Sequence, residues 1–222
     1  MNISSIINSL LVLTPSIIAT SLLSASIWDK KYLIFTLFFA ISSIINVGAK
    51  YITQKLSFFK IIGQRPDQCG FKYNNTCTGC GAIPSDKAGK SWGMPSGHAQ
   101  SMTFITVYWM IYLYCSYKNE QTTENRNKLV IISILLIITT LLVILQRVHS
   151  KCHSILQVVS GSILGSILAV ISYILSNRMN DKDFPILNGS SIGTVGTILG
   201  SVLGVVIYIL ASRVNNQYLL IY

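Results

Sequence analysis

The fold is decided by residues 129–145, LVIISILLIITTLLVIL, in which no residue carries a charge. A transmembrane helix needs about 20 mostly apolar residues, and this run reaches that length with the polar residues on either side. The 222-residue chain is 51% hydrophobic and only 11% charged, whereas soluble domains contain about 25% charged residues. The run therefore indicates a membrane-spanning helix in a chain whose excess apolar surface faces lipid.

Similar uncharged runs recur along the chain and predict an all-α, polytopic membrane helix bundle with about six transmembrane helices. We interpret residues 1–222 as one membrane-embedded domain. The first run contains Pro15, which predicts a kink or a partly interfacial helix. A signal peptide is the alternative, but the run lacks a basic leading segment. The second run is expected to continue through Lys50 and Tyr51 towards Phe59. The other five runs are 3–28, 32–48, 102–117, 155–175 and 192–212.

The net charge of +10 does not indicate a nucleic-acid partner. The basic residues are scattered at the ends of apolar runs, without a basic helix or an aromatic-basic sheet pattern. Charges that flank apolar spans are ordinary in membrane proteins, and a basic membrane surface attracts anionic lipid head groups. We therefore expect the bilayer and a membrane lipid, and no nucleic acid, as partners.

Glycines at four-residue spacing occur in two of the runs. Gly161 and Gly165 form one pair, and Gly196, Gly200 and Gly204 form a tandem set. This spacing lets helix backbones approach closely. Packing inside the bundle is the preferred explanation, and a homodimer through the glycine-rich helices is the alternative.

Three short polar stretches adjoin predicted spans: Arg65-Pro66, residues 94–98 and residues 146–153. If every run crosses the membrane, the end of the second and the start of the third lie on one face. The end of the fourth and the start of the fifth lie on that same face. Two arginines and two histidines are then placed together, namely Arg65, His98, Arg147 and His153.

These residue types suit the chemistry of a phosphate ester. Arginines present planar, permanently charged forks that match phosphate oxygens. Ser96 and the Gly97 amide stand at a predicted helix start, where free N–H groups and the helix dipole favour an anion. Two histidines can supply a nucleophile and a proton donor near neutral pH. No Asp/Glu cluster occurs on this face to hold magnesium. We therefore expect phosphoryl transfer through a phosphohistidine, with no metal and no cofactor.

The order of these motifs resembles the type 2 phosphatidic acid phosphatase (PAP2) superfamily over roughly residues 55–165. The segments that match are Arg65-Pro66, then Pro-Ser-Gly-His ending at His98, then Arg147 followed by His153. The resemblance implies that His153 is the nucleophile and His98 the general acid. It also implies that the phosphate is held by Arg65, Arg147, Ser96 and the Gly97 amide.

The sequence departs from the family pattern at three positions. The family's lysine would fall at Phe58, and we expect Lys60 to replace it, with Lys55 as the alternative. The serine before the second arginine is Gln146. The family's aspartate after the nucleophile is Gln157, which can orient an imidazole by a hydrogen bond but supplies no counter-charge.

Dolichyl-diphosphatase-like members of the family look like this chain around both histidine motifs, in residues 93–102 and 153–158. This resemblance implies hydrolysis of a polyprenyl or dolichyl diphosphate to the monophosphate and inorganic phosphate. A phosphatidate-type lipid phosphatase is the alternative enzyme. The absent lysine and aspartate leave open a catalytically inactive relative that serves as a lipid-binding or scaffold protein.

Four cysteines are expected on the site face: Cys69, Cys77, Cys80 and Cys152. Disulfides would form there if that face is lumenal or extracellular, and free thiols would remain if it is cytosolic. The alternative is a zinc site that begins at Cys77-x-x-Cys80. Cys115 lies in a predicted span and is expected to contribute to packing.

The short loops on the opposite face carry basic residues, so we expect those loops to be cytosolic. The site then faces the lumen or the exterior of an integral, multi-pass membrane protein. On that side, Asn74-Asn75-Thr76 would be a usable glycosylation sequence.

Overall fold

The computed structural model describes residues 3–26, 30–66, 72–73, 76–77, 80 and 92–180. Most of these residues are helical, and the strands are short: β1 (Lys72–Tyr73) pairs with antiparallel β2 (Thr76–Cys77). The predicted all-α class is therefore confirmed. The helices are α1 (Ile3–Ala25), α2 (Lys30–Lys55), α3 (Gly97–Asn119), α4 (Thr123–His149) and α5 (Ile155–Asn180).

Each of the first five predicted runs corresponds to one helix. The second helix includes Lys50 and Tyr51, as expected, but it ends at Lys55. Leu56 has an extended backbone, and a 3-10 turn follows at Ser57–Phe59. The sixth predicted span, residues 192–212, lies outside the described residues together with its glycine set.

Four helices in the described part of the chain are long and apolar enough to cross a membrane. The helix α3 has a similar length but more polar residues, and it lies at the centre of the bundle with eight buried residues. Large apolar side chains such as Ile44 and Leu145 are exposed on the outer helices, as expected of surfaces that face lipid. The chain is thus an integral membrane protein. The four segments are Ile7–Ala25, Lys31–Lys55, Thr123–His149 and Ile155–Arg178.

Aromatic rings form the core between α2 and α3. Phe35 is fully buried, and its ring centroid lies 4.9 Å from that of Tyr108 and 5.3 Å from that of Trp109. Tilted and edge-to-face arrangements of this kind are the favoured geometry of aromatic pairs. The Tyr108 hydroxyl also donates a hydrogen bond to Ser176 Oγ at 3.0 Å, which ties α3 to the last turns of α5.

The helices α3 and α5 run parallel in close contact. A Cβ atom on Gly161 would lie 2.4 Å from the Ser96 carbonyl oxygen, and one on Gly165 would lie 2.4 Å from the Gln100 carbonyl oxygen. Only glycine allows the two backbones to come this close. This glycine pair is therefore used inside the bundle, and a homodimer through the glycine-rich helices stays a prediction.

The contact can be tested with Gly165→Ala. The added methyl group would overlap a backbone oxygen that cannot rotate away, so we expect a loss of stability of about 1–3 kcal/mol. The matched control is Gly48→Ala, because nothing lies within 4 Å of a Cβ at that position. Thermal denaturation in detergent should show a lower midpoint for the first variant only. Equal midpoints would contradict the close approach.

Candidate active site

The predicted arginines and histidines come together where α3 begins and α4 ends. Burial, followed by the nearby charges of Arg65, Arg147, His98 and Lys50, lowers the pKa of His153 well below its usual value of 6.5. The imidazole is only 2% exposed. His153 is therefore neutral at physiological pH and surrounded by positive charge.

The ring of His153 is oriented by Gln157, which lies in the first turn of α5. Nδ1 of His153 lies 3.2 Å from Oε1 of Gln157. The other end of the amide, Nε2, donates to the carbonyl oxygens of Ile62 at 2.8 Å and Gln64 at 2.6 Å. These two acceptors fix which end of the amide is oxygen, so Nδ1 of His153 must carry the hydrogen. The lone pair of the imidazole is then on Nε2.

The backbone around His153 forms a tight turn after α4. The N–H groups of Cys152 and His153 both donate to the Arg147 carbonyl oxygen at 3.2 Å. Ser150 Oγ donates to the Gln146 carbonyl oxygen at 2.7 Å, and Lys151 has a positive φ of 54°. This turn places the predicted nucleophile directly beside the second arginine.

Backbone carbonyl groups hold both guanidinium groups. Arg147 is fully buried, and its Nη2 donates to the Cys80 carbonyl oxygen at 2.9 Å. Arg65 Nη1 donates to the Cys152 carbonyl oxygen at 3.1 Å, while its buried Nε has no hydrogen-bond partner among the described residues. Burial lowers the pKa of Arg65 to about 10, so the side chain remains charged at neutral pH. An anion could therefore satisfy the remaining donor.

A disulfide joins Cys80 to Cys152 next to the nucleophile. It links the long loop before α3 to the turn after α4, and the carbonyl groups of its two cysteines are the ones that hold Arg147 and Arg65. Because Cys80 is in this bond, it is not available as a zinc ligand. Cys69 lies outside the described residues, and of Cys77 only the backbone is described.

Ser96 and Gly97 begin α3 at the site. Ser96 is fully buried, and its Oγ caps the helix by accepting a bond from Ala99 N at 3.5 Å. Its own N–H donates to the Gln157 carbonyl oxygen at 2.9 Å. The next amides, of Gly97 and His98, belong to the first turn, where N–H groups lack intrahelical partners and favour an anion.

The two loops that carry the first arginine and the Pro-Ser-Gly-His motif are paired. Gly93 N–H donates to the Gly63 carbonyl oxygen at 2.8 Å, and Gln64 pairs with Trp92 as an antiparallel bridge. A Cβ on Gly93 would lie 2.3 Å from Oε1 of Gln157. This glycine therefore leaves the space that the Gln157 amide occupies.

The structure places a different lysine at the site from the two that the spacing suggested. Lys60 is exposed, and Lys55 is exposed with its Nζ 5.5 Å from the centre of the Tyr51 ring. Lys50 is close enough to His153 to affect its protonation, and its Nζ lies 3.9 Å from the position that a Cβ of Gly97 would take. The expectation for Lys60 is therefore not supported by this geometry.

Sequence reasoning missed Lys50 because the distance was counted along the chain from Arg65. The 3-10 turn at Ser57–Phe59 and the turn after it lengthen this connection. A lysine near the end of an apolar run also looks like an ordinary flanking charge. The pattern that could have identified it is the pair Asn46 and Lys50, since polar residues four positions apart share one helix face.

The site combines a neutral imidazole with a fixed tautomer, three cations and a helix start. Such an arrangement can bind a tetrahedral anion and bring a nitrogen lone pair to it. Within the described residues, no group of three or more His, Cys, Asp or Glu side chains could hold a metal ion.

Comparison with known proteins gives relatives of two kinds. Dolichyldiphosphatase 1 of Mus musculus is 26% identical over 177 residues, which cover 79% of this chain and 66% of that protein. Dolichyldiphosphatase 1 of Homo sapiens is 31% identical over 108 residues, or 48% of this chain and 45% of that protein. Lipid phosphate phosphatase epsilon 1, chloroplastic, of Arabidopsis thaliana is 33% identical over 92 residues, or 41% and 31% of the two chains.

The chain thus spans just under two thirds of the length of the mouse relative. No solved structure gives a significant match. The PAP2 superfamily matches residues 31–181 of this chain. This range runs from α2 through α5 and contains every predicted site residue. The resemblance inferred from the motifs is thereby confirmed. A match over more than half of the chain, together with these relatives, establishes that the protein belongs to the PAP2 superfamily.

Proposed function

We propose that this protein is a membrane lipid phosphatase that hydrolyses polyprenyl or dolichyl diphosphate to the monophosphate and inorganic phosphate. One observation carries the proposal: Gln157 holds Nδ1 of His153 at 3.2 Å and leaves Nε2 as the nucleophilic nitrogen among the site cations. A neutral imidazole with its lone pair facing an anion-binding cluster is the requirement for attack on phosphorus.

In the first step, Nε2 of His153 attacks the terminal phosphorus and forms a P–N bond. Burial and the charges of Arg147, Arg65 and Lys50 lower the pKa of His98 well below 6.5, and the bound diphosphate anion offsets these charges, so that the ring is protonated in the complex. The bond between phosphorus and the bridging oxygen breaks, and His98 transfers its proton to that oxygen as the lipid monophosphate leaves. The product of this step is a phosphohistidine. Gln157 stabilises the positive ring by accepting from Nδ1–H, although an amide supplies less stabilisation than a carboxylate.

In the second step, water attacks the phosphohistidine. His98, now neutral, takes a proton from the water as the P–N bond breaks. Inorganic phosphate leaves, and His153 returns to its neutral form. The same pair of histidines therefore serves both halves of the reaction without consumption of any other group.

The charge of the transferred phosphoryl group would be balanced by Arg65, Arg147 and Lys50. Preorganised cations in a buried site stabilise the charge that develops on phosphoryl oxygens. The Gly97 amide and the Ser96 hydroxyl would add donors at the start of α3. We infer from this set of donors that turnover requires no metal ion.

The choice of substrate follows from the relatives. Two of those described are named dolichyldiphosphatase, and the third is named a lipid phosphate phosphatase. A phosphatidate-type substrate is therefore the second candidate. A catalytically inactive relative is the third, because Gln157 does not supply the family's counter-charge to His153.

Purified protein assayed with EDTA present tests the activity. We expect phosphate release from polyprenyl diphosphate at a higher kcat/KM than from phosphatidate. His153→Ala should lose at least about a thousandfold in turnover, because no other nucleophile replaces the imidazole. His149→Ala is the matched control, since that histidine is exposed in the same turn. Absence of release from both lipids, or strict dependence on a divalent metal, would contradict the proposal.

The role of the lysine is tested with Lys50→Met and Lys60→Met. Each change removes one positive charge and keeps an unbranched side chain that is one atom shorter. We expect Lys50→Met to lower kcat/KM by about 10- to 100-fold, the scale of one lost charge-assisted contact, and Lys60→Met to leave it within about twofold. The opposite order would restore Lys60 as the lysine of the site.

We further propose that the site faces the lumen or the exterior. The Cys80–Cys152 bond supports this orientation, because protein disulfides persist in oxidising compartments and are rare in the cytosol. It lies on the same face as the nucleophile. The short connection between α3 and α4, on the opposite face, would then be cytosolic.

Orientation can be measured by thiol labelling in a background in which Cys69, Cys77 and Cys115 are replaced by serine, so that only the Cys80–Cys152 pair remains. Lys60→Cys reports on the site face and Glu120→Cys on the opposite face, and both positions are outside the bundle. In cells whose plasma membrane alone is permeabilised, an impermeant maleimide should label Glu120→Cys from the cytosol. It should reach Lys60→Cys only from the exterior of intact cells or after the inner membranes are opened. Labelling of Lys60→Cys from the cytosol would refute this orientation.

A further inference from the structure

We propose that helix α1, which precedes the residues that match the family, is a positioning element of the active site. Its Val12 carbonyl orients His98, and its Asn8 side chain holds Arg147 in place through Gln146. The family match begins at residue 31, after α1 ends. The inference rests on the proposed function for the roles of His98 and Arg147.

The first contact is between His98 and the backbone of α1. The Nε2 atom of His98 lies 3.1 Å from the Val12 carbonyl oxygen, and Val12 is only 1% exposed. A carbonyl oxygen can only accept a hydrogen bond, so Nε2 must carry the hydrogen. The nitrogen that remains to exchange a proton with the leaving group is therefore Nδ1. The Val12 carbonyl thus orients the ring of His98, as the Gln157 side chain orients the ring of His153.

Pro15 lies in α1, one turn after Val12. Proline has no N–H, so the Leu11 carbonyl loses its helical donor, and the ring crowds the same turn. Prolines in membrane helices are tolerated where neighbouring helices satisfy the backbone groups of that turn. The contact from His98 is to the Val12 carbonyl of this turn, one residue after the carbonyl that lacks its helical donor.

The second contact runs through the side chain of Gln146. Its Nε2 donates a hydrogen bond to Asn8 Oδ1, and its Oε1 accepts from Arg147 Nη1 at 3.3 Å. Both ends of this amide are thus engaged, one by α1 and one by the phosphate-binding arginine. Gln146 is itself buried. The bond to Asn8 therefore favours the orientation in which the Gln146 oxygen points at Arg147.

The contacts that run from Asn8 through Gln146 to Arg147, here called the relay, explain a departure from the family pattern. A serine at position 146 would be too short to reach from α4 to α1 and also contact the arginine. The glutamine amide spans that distance and has both a donor and an acceptor. In a buried site, a polar group that loses its partner is costly, so loss of Asn8 should turn the Gln146 amide away from Arg147.

The relay is tested with Asn8→Leu, Gln146→Leu and the double variant. The readouts are KM, kcat and the affinity for orthovanadate, a tetrahedral oxyanion with the shape and charge of phosphate. We expect each single variant to bind vanadate about 5- to 30-fold more weakly and to raise KM by a similar factor, with kcat changed less. The double variant should be no weaker than the single ones, because both changes break the same connection.

Ser24→Ala is the matched control, since Ser24 is on the same helix and its hydroxyl donates only to the Thr20 carbonyl oxygen in the contacts observed. It should bind vanadate as wild type does. If Asn8→Leu does not yield monodisperse protein, Asn8→Ala removes the acceptor with a smaller change. Wild-type affinity in the Asn8 variants, or additive losses in the double variant, would overturn the proposal. Absence of wild-type turnover would instead contradict the proposed function, and the vanadate measurement would still decide the relay.

The contact with His98 is tested by an ester bond between residues 12 and 13, introduced with the hydroxy-acid analogue of Leu13. An ester carbonyl at Val12 is a weaker acceptor, while the side chains and the other charges that face His98 are unchanged, namely Lys50, Arg65, Arg147 and His153. We expect the basic limb of the pH profile of kcat/KM to move to lower pH, because the protonated ring loses support. An ester introduced in the same way between Leu23 and Ser24 should leave the basic limb of the pH profile unchanged. If the basic limb stays in place in both ester variants, the role of Val12 is refuted.

Discussion

The carbonyl groups of Ile62 and Gln64 lie at the site end of the helix bundle and need hydrogen-bond donors. The side-chain amide of Gln157 donates to both carbonyl groups. In a membrane-embedded site, such groups must be satisfied inside the protein. The same side chain accepts from His153, and its backbone carbonyl accepts from Ser96. One residue thus joins the loop of the first arginine, the start of α3 and the nucleophile. An aspartate at this position would offer no donor to the two carbonyls.

Two backbone carbonyl groups help to hold the arginines of the site. The carbonyl groups of Cys80 and Cys152 accept from Arg147 and Arg65, and these contacts orient the guanidinium groups without cancelling their charge. The buried Nε of Arg65 has no hydrogen-bond partner among the described residues, so a phosphate oxygen that binds beside it would satisfy a donor that the described part of the protein leaves open.

The sequence predicted those features that depend on composition and alternation along the chain. Apolar runs placed the helices, and the alternation of spans placed His98 and His153 at one end. It did not predict Lys50, because the connection from Lys50 to Arg65 contains an irregular segment whose length cannot be derived from the family's spacing. The role of Val12 could not be predicted either, because a backbone carbonyl has no signature in the sequence. The pairing of Cys80 with Cys152 could not be predicted either, because the two cysteines are 72 residues apart in the chain and Cys69 and Cys77 are equally possible partners by sequence.

The parallel contact between α3 and α5 also constrains how the molecule is made. The chain must cross the bilayer through α4 before the glycine face of α5 can meet the start of α3. His98 therefore emerges from the ribosome well before the segment that will complete its surroundings. A nascent chain that ends at His149, the last residue of α4, contains both arginines but no nucleophile, and the surroundings of His98 are complete only after the fifth helix has inserted. Catalytic competence is thus acquired late in biogenesis, as a property of the assembled bundle.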